Sequence, residues 1–281
     1  MAIRLNESDT TTLDLLLEKV YRHSGYDFRE YKRGTVTRRL QRRLRVVGMK
    51  TYRDYMWFLD THLEEYQRLT EDFTIKTSSF FRNPYAFQQV TRMVLPELIA
   101  NKRKQGEHRL RLWSAACAHG EEPYSIAILL NEYLGHSLPD FDILIHATDI
   151  SRQALKEAQV GVYSSKDVES LTTATLESCF THRGESYVLR ADIKQMVSFS
   201  YFDLTSTIEQ PLVNQDCIFC CNVLIYLRDK LQERVLGMLY DSLATPGYLI
   251  LGEVETPPSN LREKLECLDI KARIYRKNGR E

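Results

Sequence analysis

Two adjacent acids, Glu121 and Glu122, stand between a strand-like run and a helix-like run in WSAACAHGEEPYS, residues 113–125. In many α/β enzymes that turn carries G-x-G-x-x-G, which lets a pyrophosphate approach the backbone and the helix N-terminus. Here one glycine, Gly120, remains, and Ala115, Ala116 and Ala118 make a turn of small residues. Two carboxylates repel a pyrophosphate and attract a cation. They also suit the dipole of a helix start, which is worth about 0.3–1 kcal/mol, and spacing alone leaves the two readings level. Roughly 30 residues on, a second strand-like run ends in Asp149, where an acid accepts hydrogen bonds from ribose hydroxyls or shapes the turn into the next helix. A ribose-bearing ligand with a cationic group and no phosphate satisfies both positions. S-adenosyl-L-methionine has a ribose, a sulfonium and an ammonium.

The elements that must position these acids alternate. RLRLWSA is a short apolar strand, and GEEPYSIAILLNEYL is a helix with Ile126, Leu129, Leu130 and Tyr133 on one face. FDILIHATDI is a strand, and SRQALKEAQV a helix with Ser151 as its N-cap. MVSFSYFDL, CIFCCN and YLILGEVE read as further strands, with RDKLQERVLGMLYDSLA as the helix between the last two and Pro246-Gly247 following its end. LDIKARIYRK alternates Ile270, Ala272 and Ile274 and reads as a final strand. This pattern predicts an α/β fold, a doubly wound, mostly parallel sheet with helices on both faces. Ligands then bind beyond the carboxyl ends of the strands. Residues 162–197 break the rhythm with a polar helix and a hairpin around Arg183-Gly184. Before the sheet, residues 9–73 carry only helical periodicity: Leu13, Leu16, Leu17 and Val20, then Val36, Leu40, Leu44 and Val47, then Tyr55, Phe58, Leu59 and Leu63. The expected division is a helical domain over 1–73 and a sheet domain over 74–281, with 162–197 a small antiparallel β-subdomain inserted in it.

A 281-residue chain that is 43% hydrophobic can bury a full core. Lys+Arg and Asp+Glu are 38 each, which argues against nucleic acid as the main partner and leaves steering to local patches. No apolar run approaches the roughly 20 residues of a membrane helix, and the N-terminus lacks the pattern of a signal peptide. Cys217, Cys220 and Cys221 lack a second ligand pair at zinc spacing, so buried reduced thiols, no metal and a cytoplasmic location are expected. Nothing demands a dimer, and a monomer is expected.

FFRNP (80–84), GEEPYS (120–125), ATDI (147–150) and NVLIY (222–226), in that order and spacing, resemble the CheR family of chemotaxis receptor glutamate O-methyltransferases. The resemblance runs over nearly the whole chain and implies the S-adenosylmethionine-dependent methyltransferase fold, with S-adenosyl-L-homocysteine as product. It implies that Glu122, with or without Glu121, faces the methionine end of the cofactor and that Asp149 holds the ribose. Asp203, Leu204, Asn222 and Val223 line the adenosyl pocket, with Lys76, Ser78, Arg82 and Ala116 also against the cofactor. Arg82 and Tyr226 flank the transferring methyl and the incoming carboxylate. Departures from the family pattern are Ala116 for glycine, Lys76 and Ser78 for Asn and Thr, Cys221 for arginine before Asn222, and Gly252-Glu253-Val254-Glu255 for G-H-S-E.

Residues 31–49 hold seven basic residues and no acid. Arg38, Arg39, Arg42 and Arg43 read either as a solvated amphipathic face or as a dock for the acidic methylation region of a receptor, as the family implies. The hairpin in CFTHRGESYVL looks about three residues shorter than in members that pair with a receptor pentapeptide, which implies a pentapeptide-independent type. Two other readings stay open at this stage: a cofactor-binding scaffold with lost activity, and a nucleic-acid methyltransferase using the arginine helix.

Overall fold

The computed structural model describes residues 7–74, 77–206 and 212–279. The chain divides into two compact units, Met1–Ile75 with Tyr226–Gln232, and Lys76–Ile225 with Glu233–Glu281.

The first unit is helical: α1 (Glu7–Ser24), α2 (Arg33–Val46), α3 (Tyr52–Thr61) and α4 (Glu64–Phe73). The periodic residues Leu13, Leu16, Leu17, Val20, Val36 and Leu40 form its core together with Tyr55, Leu59, Leu69 and Phe73. Leu63 departs from the expected face. It stands at the N-cap of α4 and is exposed. The distant segment 226–232 joins this unit through its backbone: Lys32 N–H donates to the Tyr226 carbonyl at 2.8 Å, and Arg228 N–H to the Glu30 carbonyl at 3.0 Å.

The second unit opens with a helical stretch that the sequence reading left unassigned: α5 (Pro84–Gln89), a π-helical turn (Val90–Val94) and α6 (Leu95–Gln105). Val90, Val94, Leu95, Leu98 and Ile99 are buried in the main core. Then follow β1 (Arg109–Ala115), α7 (Glu121–Leu134), β2 (Asp142–Asp149), α8 (Arg152–Val160), β3 (Val162–Ser164), α9 (Thr173–Cys179), β4 (Phe180–Arg183), β5 (Ser186–Leu189) and α10 (Ala191–Lys194). The chain continues through β6 (Val197–Tyr201), β7 (Gln215–Cys220), α11 (Asp229–Ser242), β8 (Leu243–Leu251), α12 (Ser259–Arg262), β9 (Leu265–Asp269) and β10 (Ile274–Lys277).

Seven strands form one sheet in the order β6-β2-β1-β7-β8-β10-β9. The pairs from β6 to β8 are parallel and those of β10 antiparallel. Every residue of the central strand β7 is buried, which is why its CIFC part reads as a continuous apolar run and not an alternation. The inserted segment forms a separate antiparallel sheet, β3-β5-β4. Its hairpin turns at Gly184, in the left-handed region at φ +61°, between the paired residues Arg183 and Ser186.

Three details depart from the sequence reading. The final strand is two strands. The Asp269 carboxylate accepts from Lys271 N–H and Ala272 N–H, both at 2.8 Å, and curls the chain into a turn that leaves Ile270 exposed. Pro246-Gly247 lies inside β8, where the pairing with β7 shifts register between Leu243 and Tyr248. A Cβ at Gly247 would stand 2.6 Å from the Ala244 carbonyl oxygen, so only glycine fits that irregularity. Tyr133, expected on the buried face of α7, is exposed.

Candidate active site

β2, β1, β7 and β8 are adjacent and parallel, so Asp149, Ala115, Cys220 and Leu251 end at one edge of the sheet. The loops leaving those ends hold most of the residues singled out from sequence.

The loop after β1 is tight. Ala116 (φ +66°), Ala118 (φ +49°) and Gly120 (φ +92°) all have left-handed backbones. Only glycine adopts that region without cost, and alanine gives up about 1 kcal/mol there. A Cβ on Gly120 would sit 2.9 Å from the Ala158 Cβ and 3.1 Å from the Tyr163 hydroxyl, which explains the one glycine kept. Asp149, buried at the end of β2, closes this loop. Its Oδ2 accepts from Ala118 N–H at 2.9 Å and its Oδ1 from Ser151 N–H at 2.7 Å. The N-cap of α8 is Ser151, whose side chain accepts from Ala154 N–H at 3.2 Å. Asp149 thus fastens two neighbouring loops together and presents a carboxylate at the sheet edge.

Glu121 and Glu122 separate. Glu122 Oε1 accepts from the Ser114 hydroxyl on β1 at 2.7 Å, and the Cys221 thiol after β7 donates to the Ile250 carbonyl at 3.9 Å. Burial pushes the Glu122 carboxyl up to about 7. The nearby charge of Glu255 pushes the same way, against the Ser114 hydrogen bond and the charge of Arg82. Glu121 is buried too, and burial raises its pKa. Its Oε2 is buried and has no hydrogen-bond partner among the described residues. The Glu121 backbone also serves: its carbonyl accepts from the Ser125 hydroxyl at 2.6 Å, and Ser125 in turn accepts from Phe81 N–H at 2.8 Å. So Glu121 supports the FFR segment while Glu122 faces the sheet edge.

That segment is strained and well fastened. Phe81 (φ +49°) and Asn83 (φ +65°) are left-handed, and the Asn83 side chain caps α5 by accepting from Ala86 N–H at 3.2 Å. Phe80 is buried, and its carbonyl accepts from the Ser170 hydroxyl at 3.1 Å. Arg82 is exposed and donates from Nη1 to the Thr77 carbonyl at 2.9 Å. Lys76 lies outside the described residues.

The loop after β7 is organised by an acid to which the sequence reading gave no role. Glu255 is 4% exposed. Its Oε2 accepts from Asn222 N–H at 2.9 Å and Gly252 N–H at 2.8 Å, and its Oε1 from Ile225 N–H at 3.2 Å. These bonds hold Asn222 at φ +61° and fix Asn222 and Val223 at the sheet edge. Burial raises the Glu255 carboxyl, and the backbone donors pull it back. The sequence sign was the closing acid of Gly252-Glu253-Val254-Glu255, which stands where the family pattern G-H-S-E has its own. Tyr226 follows in a 3-10 turn, Leu224–Tyr226, and belongs to the helical unit. Beyond β6, Asp203 Oδ1 accepts from the Thr205 N–H at 2.8 Å and its hydroxyl at 2.7 Å. Leu204 beside it is buried.

The basic helix α2 is only partly a free face. Arg43 forks onto Glu65, with Nη2 2.7 Å from Oε2 and Nε 2.9 Å from Oε1, and the Tyr55 hydroxyl donates to the same Oε1 at 2.7 Å. Glu65 is 1% exposed, so Arg43 is spent on the core. Arg39 donates to the Asp72 carbonyl and is half-buried. Arg38 and Arg42 are exposed, Arg42 with Asp72 at 3.3 Å.

A mostly parallel sheet with acids at the ends of β2 and at the start of α7, and no glycine-rich phosphate turn, defines the nucleoside-binding domain of an S-adenosylmethionine-dependent methyltransferase. Residues 76–274 match the family model described as CheR methyltransferase, SAM binding domain, and residues 11–74 that described as CheR methyltransferase, all-alpha domain. The chain belongs to the CheR methyltransferase family. It is 30% identical over 269 residues to a chemotaxis protein methyltransferase of Borreliella burgdorferi, covering 95% of this chain and 94% of that protein. It is 33% identical over 240 residues to chemotaxis protein methyltransferase 2 of Vibrio cholerae, covering 84% and 82%. An uncharacterized 104.1 kDa protein of Rhodobacter capsulatus is 34% identical over 229 residues, 82% of this chain but 24% of that longer protein. Among the described residues no helix is long and apolar enough to cross a membrane.

Proposed function

We propose that this protein transfers a methyl group from S-adenosyl-L-methionine to glutamate side chains of chemoreceptors, forming glutamyl methyl esters and S-adenosyl-L-homocysteine in the cytoplasm. The observation that carries the reading is the environment of Glu122. Its hydrogen-bond donor is the neutral Ser114 hydroxyl, with a second carboxylate, Glu255, near enough to be felt. Among the described residues it has no ion pair, Arg82 reaching it only through its charge, and a carboxylate so placed favours a cationic ligand. The donor set fits the cofactor: Glu122 for the ammonium of its methionine end, Asp149 for the ribose, and Asp203, Leu204, Asn222 and Val223 around the adenosyl group. Ser78 and Ala116 border the same ligand.

When bound, the cofactor supplies an electrophilic methyl on a sulfonium. The protein's own part is small. A glutamate side chain, with a pKa near ~4.3, is already an anion at neutral pH, so no residue has to remove a proton. A carbon–oxygen bond forms as the carbon–sulfur pair returns to sulfur, and the two charges cancel. Arg82 and Tyr226 orient one carboxylate oxygen and exclude water from the line of attack. Arg38 and Arg42, both exposed on α2, meet the acidic methylation region of the receptor. The short β4–β5 hairpin supports a pentapeptide-independent type; micromolar binding of a receptor C-terminal pentapeptide would overturn that assignment.

The test separates binding from transfer. Arg82→Ala and Tyr226→Phe are expected to lower methyl transfer to receptor-containing membranes at least tenfold, while S-adenosylhomocysteine binds within about threefold of wild type. Unchanged transfer rates in both variants would remove these roles.

A further inference from the structure

The turn between β1 and α7 is fastened from two sides. On one side β2 holds it: Cys117 N–H donates to the Thr148 carbonyl at 2.9 Å, and Asp149 accepts from Ala118 N–H at 2.9 Å. On the other side stands Tyr163, from the inserted subdomain. Val162 and Ser164 of β3 are exposed and Tyr163 between them is buried, so Tyr163 is the side chain of that strand turned inward. Its hydroxyl donates to the His119 carbonyl at 3.0 Å. Burial raises its pKa, which keeps the hydroxyl protonated and donating. The ring of the same residue reaches the second strained segment of the site. It lies edge-on to Phe80, with centroids 4.8 Å apart, and to Phe180 of β4 at 6.5 Å. Phe80 stands two residues before Arg82, and its carbonyl accepts from the Ser170 hydroxyl of the same insertion at 3.1 Å.

Building on the reading above, we propose that the inserted β-subdomain braces the cofactor site and that Tyr163 is the positioning residue through which it does so: its hydroxyl sets the His119-Gly120 turn, and its ring sets the Phe80 backbone that leads to Arg82. Ala116, Ala118 and Gly120 hold left-handed backbones in that turn, and the two alanines do so against their own preference. A turn under such strain relaxes when one of its fastenings is cut, and the ligand then meets a surface it must reorder on binding. The hydroxyl therefore acts on cofactor affinity. The ring acts on the placement of Arg82 and so on transfer.

The experiment compares full-length wild type, Tyr163→Phe and Tyr163→Leu by calorimetric titration with S-adenosylhomocysteine, by methyl transfer to receptor-containing membranes, and by thermal unfolding. Tyr163→Phe removes the hydroxyl and keeps the ring. It is expected to bind S-adenosylhomocysteine about three- to tenfold more weakly, the worth of one hydrogen bond. Its KM for S-adenosylmethionine should rise by the same factor, with kcat within about twofold of wild type. Tyr163→Leu removes the ring as well and is expected to lower kcat at least about fivefold besides. A merely structural tyrosine would lower the thermal midpoint of Tyr163→Phe and leave its affinity at the wild-type value; that result would overturn the proposal. Wild-type kcat in Tyr163→Leu would overturn the part given to the ring. If Tyr163→Leu fails to fold, the affinity of Tyr163→Phe decides alone. Failure of wild type to bind S-adenosylhomocysteine would instead overturn the functional reading on which the proposal rests.

Discussion

Replacing Glu122 with glutamine tests the electrostatics of the site quantitatively. In the folded protein the Glu122 carboxyl titrates at about 7, against 4.5 for the free side chain, because it is buried beside another acid. The folded state therefore binds the proton more tightly than the unfolded chain. Below pH 4.5 both states are protonated and Glu122 costs nothing. As pH rises from 4.5 through 7, the folded state must either keep the proton or bury a charge, and stability falls. At 1.36 kcal/mol per pKa unit the loss approaches about 3 kcal/mol by pH 8, and partial solvation of the group lowers it toward about 2. Glu122→Gln removes this term. Its unfolding free energy should equal that of wild type near pH 4.5 and exceed it by about 2–3 kcal/mol at pH 8. Binding behaves in the opposite sense. A ligand ammonium beside Glu122 favours the ionised form, so binding at pH 6.5 should release about three-quarters of a proton, the fraction protonated for a group titrating near 7. Glu122→Gln should release none and bind about 10- to 100-fold more weakly, the worth of a charge-assisted hydrogen bond. Denaturant unfolding across pH and calorimetry in buffers of different ionisation heat measure both. A wild-type protein whose binding is pH-independent and releases no proton would refute the reasoning.

Other consequences follow from single contacts. Ala116→Gly relieves a left-handed alanine and should raise the thermal midpoint by about 2–4 °C while leaving S-adenosylhomocysteine affinity equal or better; a lower midpoint would contradict the strain argument. Arg43→Ala leaves Glu65 buried without its partner and should cost about 3–5 kcal/mol of stability. Arg38→Ala should cost less than about 0.5 kcal/mol yet weaken capture of receptor-containing membranes, as read by denaturation and co-sedimentation. Glu255→Gln turns one acceptor oxygen of the clamp into an amide donor. It should weaken S-adenosylhomocysteine binding at least tenfold, since the loop bearing Asn222 and Val223 loses about 1–3 kcal/mol of hydrogen bonding.

What could be read beforehand was local. RLRLWSA became β1 residue for residue, and Ser151 caps α8, because strand texture and capping chemistry are written in neighbouring residues. The acids Glu122 and Asp149 were visible for the same reason, since helix starts and strand ends announce themselves. Their partners were not. Ala118 lies 31 residues from the Asp149 that holds it, and Asn222 lies 33 from Glu255; only the parallel sheet brings them together. Arg43 read as part of a free basic face because its partner, Glu65, is on another helix. The helices α5 and α6 were passed over between two motifs, although Val90, Val94, Leu98 and Ile99 carry the apolar period of a buried helix face. The grouping of 226–232 with the helical unit rests on backbone hydrogen bonds, which leave no mark in side-chain pattern. Asp269, a short acid in LDIKAR, was the sign that the last strand would break, and its turn-forming chemistry was outweighed by the alternation of Ile270, Ala272 and Ile274.

The central claim is the chemistry of the product. Purified protein, S-adenosylmethionine and chemoreceptor-containing membranes should yield receptor peptides carrying a single added methyl on glutamate, located by fragment mass spectra and lost on mild alkaline treatment with release of methanol. Methyl groups stable to base, or found on nitrogen or on nucleic acid, or absent while the cofactor is bound, would contradict the account.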